Sequence, residues 1–118
     1  MIFCTLFDSY YIAQGITMID SLLKVNSNCF IYVVAMDEDC HKLLKKTVNE
    51  RVNIITLKEV ENNYPLLKKT KDQRTKPEYY FTSKGFICHY ITQKEKQIDS
   101  VTYLDSDLYF FSDPQSIF

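Results

Sequence analysis

The sequence predicts an α/β fold, a three-layer sandwich in which a mostly parallel sheet lies between helices. Three observations carry this. Apolar runs of strand length alternate with helical stripes from the first residue. The runs are apolar at successive positions rather than at every second one, the pattern of strands buried on both faces. Finally, the clusters Asp8-Ser9, Asp37-Glu38-Asp39 and Asp105-Ser106-Asp107 each follow such a run. In open parallel sheets, ligands bind outside those carboxyl ends.

Ile2-Phe3-Cys4-Thr5-Leu6-Phe7 is the first strand, and Ile12, Ile16, Ile19 and Leu23 form the stripe of an amphipathic helix ended by Asn26-Ser27-Asn28. Cys29 to Met36 is the second strand. Asp39 is then expected to cap a helix running through Val48, with Cys40, Leu43, Leu44 and Val48 as its apolar positions. Val52 to Leu57 gives the third strand, and the polar stretch from Lys58 to Pro77 a short helix plus an irregular loop. Pro77 suits a helix start, so Glu78 to Gln93 reads as a third main helix, apolar nearly all round and largely buried. Val101-Thr102-Tyr103-Leu104 is the fourth strand, and Leu108 to Phe111 continues extended to the Asp113-Pro114 turn. The order βαβαβ–loop–αβ implies right-handed crossovers and a Rossmann-like arrangement.

A chain of 118 residues suits one compact domain. Its 46% hydrophobic content excludes a disordered segment. A net charge of -1 and a pI of about 6.1 give no footprint for nucleic acid. The basic patch Lys68-Lys69-Thr70-Lys71, with Arg74 and Lys76, is either a solvated face or a phosphate contact. Four cysteines without a CxxC pair suggest free thiols, buried at Cys4, Cys29 and Cys88, and a reducing compartment. No run approaches the roughly 20 apolar residues of a membrane span. The expected location is therefore the cytoplasm, peripheral to the inner face of the membrane at most. With Gly15 and Gly85 as the only glycines, no Gly-rich phosphate loop exists, which disfavours dinucleotide dehydrogenases and P-loop NTPases.

Asp105-Ser106-Asp107 is the strongest chemical signal. In extended backbone its two carboxylates point to the same side. Hard oxygen ligands suit Mg²⁺ or Mn²⁺ bridging a diphosphate, and such a cation would stabilise a departing nucleoside diphosphate. A solvated acidic turn closing a strand is the plainer alternative. Lys84 lies on an apolar helix face, so it must snorkel or find a partner. Arg74 and Glu78 stand four apart and either pair with each other or leave the Arg fork for phosphate. Asp37-Glu38-Asp39 reads as a helix cap with first-turn acids. His41 and His89 have no partner at ligand spacing and read as packing or surface residues. Tyr10 and Tyr11, beside the first strand's end, are placed to stack on a base.

The segment Tyr103-Leu104-Asp105-Ser106-Asp107-Leu108, followed by Ser112-Asp113-Pro114 and Ile117-Phe118, resembles the YLDxD…D…F segment of retaining GT-A glycosyltransferases related to glycogenin. Phe3 to Asp8, Tyr10-Tyr11, Gly15 and Ser21-Leu22 resemble the first strand and helix of the same group. Arg74-Thr75, Glu78-Tyr79 and Thr82 resemble a feature of bacterial members of that clan. The resemblance implies a GT-A fold and a metal-dependent transferase using a nucleotide-diphospho-sugar, a UDP-sugar first of all. It implies nucleobase and ribose contacts at Asp8, Ser9 and Tyr11, and metal ligation by Asp105 and Asp107, with Ser106 and Arg74 among the donor contacts. Lys84, through Ser83-Lys84, matches the lysine that approaches the sugar diphosphate, so catalysis is expected to rest on Asp107 and Lys84.

GT-A domains are considerably longer. Residues 1–118 are thus expected to be the nucleotide-sugar-binding half, lacking the acceptor half and a metal-binding His. Such a piece would bind a donor without transferring sugar, and would self-associate through an exposed apolar edge. The acceptor, whether glycan, lipid or protein, is not specified by these residues. The competing reading is a non-catalytic nucleotide or nucleotide-sugar binding module. Phosphoryl transfer is disfavoured, because haloacid-dehalogenase-type enzymes carry their Asp-x-Asp after the first strand and here it follows the fourth.

Overall fold

The computed structural model describes residues 1–47 and 49–117. The expected reach of the second helix to Val48, and the place of Phe118 in the C-terminal resemblance, lie outside them. Strands β1 (Ile2–Phe7), β2 (Phe30–Ala35), β3 (Val52–Thr56) and β4 (Thr102–Tyr103) form one sheet in the order β3-β2-β1-β4, and every pairing is parallel. The α/β sandwich expected from the alternating runs is the fold observed.

Helices α1 (Ile12–Val25) and α2 (Glu38–Leu44) cover one face, and α3 (Leu57–Asn63), α4 (Pro65–Thr70) and α5 (Lys76–Lys94) the other. Successive residues of β1 serve opposite faces, as the pleat requires. Phe3 and Phe7 pack with Met18, Leu22 and Leu44. Cys4 and Leu6 pack with Leu67, Ile87 and Ile91 across the sheet. Burying each large side chain contributes about 1.5–3 kcal/mol, so the uninterrupted apolar runs of β1 and β2 are what hold both helical layers. The α1 stripe is wider than the four-residue pattern predicts: Gly15, Met18, Ser21 and Leu22 are buried beside Ile19.

Several boundaries move, each for a local reason. Asp37, not Asp39, caps α2, accepting a hydrogen bond from the Cys40 N–H at 2.7 Å. Thr56 caps α3 directly after β3, so the stretch expected to hold one short helix plus an irregular loop is helical from Leu57. Pro65 opens α4, and a 3₁₀ turn at Lys71–Gln73 follows. Helix α5 begins at Lys76 under a capping box between Thr75 and Glu78. The expectation that α5 is apolar nearly all round and largely buried is overturned. Tyr79, Ser83, Ile87 and Ile91 form its buried stripe, while Phe81 is 74% exposed. Strand β4 is two residues long rather than four, because it meets the sheet on one side and pairs only through Phe3↔Thr102 and Cys4↔Tyr103.

Candidate functional site

The chain builds β1, β2 and β3 outward in one direction, then crosses to lay β4 on the free side of β1. The strand order therefore reverses between β1 and β4, and a crevice opens outside their carboxyl ends at that reversal. A cleft of about 360 Å³ lies there, lined by Tyr11, Tyr80, Lys84, Asp105, Ser106 and Asp107 among others.

Asp8 follows β1 directly and is only 3% exposed. Its carboxylate accepts from the Tyr10 N–H at 3.0 Å and the Tyr11 N–H at 3.3 Å, capping the 3₁₀ turn Ser9–Tyr11. The other oxygen accepts from the Tyr80 hydroxyl at 2.8 Å and lies 3.5 Å from the Lys76 ammonium. Burial, then the bond to Asp8, push the Tyr80 phenol well above its ordinary value, so it stays a donor. Asp8 is thus a buried brace that holds the turn bearing Tyr10 and Tyr11 against α5. Tyr10 and Tyr11 stay exposed and stack edge to face at 5.2 Å.

Ser9 has its hydroxyl bonded to Asp37 at 2.8 Å and its N–H at 3.1 Å. Burial would raise the Asp37 carboxyl, but the Cys40 N–H, the Ser9 hydroxyl and N–H and the Lys76 charge together hold it below its ordinary value. Ser9 and Asp37 therefore tie the end of β1 to the end of β2.

Lys84 finds a partner rather than snorkelling alone. Its ammonium lies 3.2 Å from Asp105 Oδ1, 4.7 Å from the Phe81 ring centre and 4.9 Å from that of Tyr103. The Lys84 and Asp105 side chains are 29% and 60% exposed. An ion pair this open is worth at most about 1 kcal/mol, and each cation–π contact about 0.5–1 kcal/mol. Such a pair holds the lysine in place yet is weak enough to yield to a dianionic ligand. Asp107 is exposed on the same rim. The ladder ends at Tyr103 and the Leu104 N–H returns to the Cys4 carbonyl at 2.8 Å, which fixes where the Asp-x-Asp turn leaves the sheet.

Arg74 does not line this cleft, and among the described residues no ion pair joins it to Glu78. Glu78 instead accepts from the Thr75 N–H at 2.8 Å. His41 and His89 also lie elsewhere; His89 bonds the Tyr64 hydroxyl at 2.6 Å. A second hollow of about 400 Å³ opens beyond β2 and β3 around Asp37, His41, Thr56 and Glu61. Its buried Glu61 is already held by Tyr79 and by Lys71 at 3.2 Å. Among the described residues, no three His, Cys, Asp or Glu side chains converge as a metal site. No described helix is long and apolar enough to cross a membrane.

Sequence reading did not place Tyr80 and Phe81 at the cleft, nor foresee the contacts of Lys76 with Asp8 and of Asp37 with Ser9. Tyr80, Phe81 and Lys84 were findable: offsets of four and three put them on one helical face. The link from Tyr80 to Asp8 spans 72 positions and leaves no local signal.

No family model matches the sequence. Among curated proteins the chain is similar to two uncharacterized proteins of Bacillus subtilis (strain 168). It is 32% identical to YfnF over 116 residues, covering 98% of this chain and 38% of YfnF. It is 33% identical to YfnD over 116 residues, covering 98% of this chain and 37% of YfnD. The chain thus spans less than two fifths of the length of these relatives. Among solved structures, it superposes on an active-site mutant of LgtC and on the galactosyltransferase LgtC in complex with donor and acceptor sugar analogs. Each match has a TM-score of 0.56 at 14% identity and covers 99% of this chain and 41% of that one. The fold of this chain is therefore the Rossmann-like, GT-A type.

Proposed function

We propose that residues 1–118 form the nucleotide-sugar-binding half of a metal-dependent glycosyltransferase, with a UDP-sugar as donor. The observation that carries this reading is the convergence of Tyr11, Lys84, Asp105 and Asp107 on one cleft at the β1–β4 reversal, in a chain with a glycosyltransferase fold. Asp105 and Asp107 would hold Mg²⁺ or Mn²⁺. Two exposed carboxylates, with no third candidate ligand among the described residues, fit a cation that would keep waters and share its remaining positions with substrate phosphates. Once bound, that cation supplies Lewis-acid stabilisation of the departing nucleoside diphosphate.

The chain's own residues do the rest. Tyr11, with Tyr10 beside it, offers an aromatic face to the base. Asp8 sets the position of that turn from beneath, and Ser9 locks it to Asp37. Lys84 exchanges its weak pairing with Asp105 for the diphosphate, where its charge offsets the negative charge that grows on the leaving group. Ser106, between the two carboxylates in sequence and lining the same cleft, would add a donor contact. Arg74 is exposed and does not line the cleft, so no contact of it with the diphosphate enters this reading.

A binding module without transfer is the second reading. The acceptor and the transfer step belong to the whole protein in either case.

Calorimetric titration of UDP and UDP-sugars, with and without Mn²⁺, tests the proposal. Binding is expected to require Mn²⁺ and to fall at least tenfold in Asp105→Ala/Asp107→Ala, an effect of about 1.4 kcal/mol or more. Equal binding by the double variant would remove the carboxylates from the donor site.

A further inference from the structure

Cys4 sits within β1 and is fully buried, while Cys88 sits in α5 and is half-buried. Their sulfurs are 3.6 Å apart. The other two thiols, Cys29 and Cys40, are buried in the apolar cluster on the opposite face of the sheet, across from Cys4. The fold therefore selects one pair of the four cysteines, from positions 84 residues apart.

We propose that Cys4 and Cys88 form a modification site, a dithiol pair that oxidises to an intramolecular disulfide by exchange with a small-molecule disulfide such as glutathione disulfide. The inference stands independently of the nucleotide-sugar reading.

Accessibility and acidity divide the roles. Cys88 is the sulfur that solvent reaches. With Cys4 as the donor across this contact, the hydrogen bond stabilises the Cys88 thiolate against the opposing effect of burial and lowers the thiol from its ordinary value. The same bond, then burial, push the Cys4 thiol far above the ordinary range. Cys88 thiolate therefore attacks one sulfur of glutathione disulfide, forming a mixed disulfide and releasing one glutathione thiolate. The Cys4 sulfur then attacks Cys88 Sγ and gives up its proton, and the second glutathione leaves as a thiolate. Two protein thiols are oxidised, and one glutathione disulfide is reduced to two glutathione molecules.

A disulfide bond of about 2.05 Å requires the two sulfurs to approach from their contact distance, by side-chain rotation, by approach of α5 to β1, or by both. Cys88 lies one helical turn beyond Lys84, so the bond acts on the segment that carries the cleft lysine.

The test is oxidation of the native chain with glutathione disulfide near neutral pH, acid quenching, alkylation in denaturant and mapping of unreduced peptides. The expected product is a linked peptide pair containing Cys4 and Cys88, lighter by two hydrogens, with Cys29 and Cys40 alkylated in the same molecules. A parallel oxidation in urea should scatter the linkages among all four cysteines. Alkylation of Cys4 and Cys88 after native oxidation, arrest at the mixed disulfide, or the same scatter as in urea would each overturn the proposal.

Discussion

Gly15 lies in α1 against the ring of Phe7, and a Cβ there would come within 2.3 Å of it. Phe7 is itself buried at the end of β1, so the ring cannot step aside. Gly15→Ala gains about 1 kcal/mol of helix propensity but forces overpacking that costs about 1–3 kcal/mol. The expected result is a net loss of stability in urea unfolding, with the end of β1 displaced. Asp37 makes a second prediction at this scale. Its carboxyl is held below 3.8, its unfolded value. That contribution is whole above 3.8 and is lost as pH falls through the lower folded value. Asn still caps a helix, so Asp37→Asn should lose stability at neutral pH and show a flatter acid limb. Urea midpoints that fall in parallel for both proteins would refute this assignment. Asp37 shows how far residue chemistry could be read in advance. Its cluster after an apolar run pointed to a cap, expected at Asp39 and found at Asp37, while the bond from Asp37 to Ser9 joins two strand ends and has no sequence signature.

At the scale of elements, β1 and β2 were legible because burial on both faces leaves an unbroken apolar run. Strand β4 was overread for the same reason: Val101 and Leu104 are apolar, yet only Thr102 and Tyr103 meet a partner strand. Helix α5 was misread because its aromatic residues serve two purposes. Tyr79 and Ile87 enter the core, while Tyr80 and Phe81 line the cleft. Aromatic character alone does not separate these roles. Gly85 sits in the same helix, and a Cβ added to it would meet nothing within 4 Å. Gly85→Ala should therefore raise stability by about 1 kcal/mol, opposite in sign to Gly15→Ala. Thermal melting of the two variants side by side checks the pair. A loss of stability in Gly85→Ala would mean that its face of α5 is packed.

Across the whole molecule, the strand-order reversal between β1 and β4 opens the cleft outside their carboxyl ends, where ligands of open parallel sheets generally bind. The sequence pointed to three acidic strand ends. The sheet order separates them, because β2 is an interior neighbour of β1 while β4 lies on its other side. Asp8 and Asp37 brace the turn that follows β1, and Asp105 with Asp107 stands at the rim of the cleft. The division follows from exposure, since Asp8 is buried and already bonded while the Asp-x-Asp pair is open to solvent. This order could not be read in advance because parallel runs look alike wherever they pair.

The central claim is that a nucleoside diphosphate and its cation sit together in the β1–β4 cleft. Paramagnetic broadening of the amide NMR spectrum by substoichiometric Mn²⁺, with UDP present, tests it most directly. The account predicts that broadening centres on Asp105 to Asp107 and reaches Lys84 and the Ser9–Tyr11 turn, and that Asp105→Ala/Asp107→Ala abolishes it. Broadening centred on Asp37, Glu38 and Glu61 would contradict the account and move the site to the hollow beyond β2 and β3.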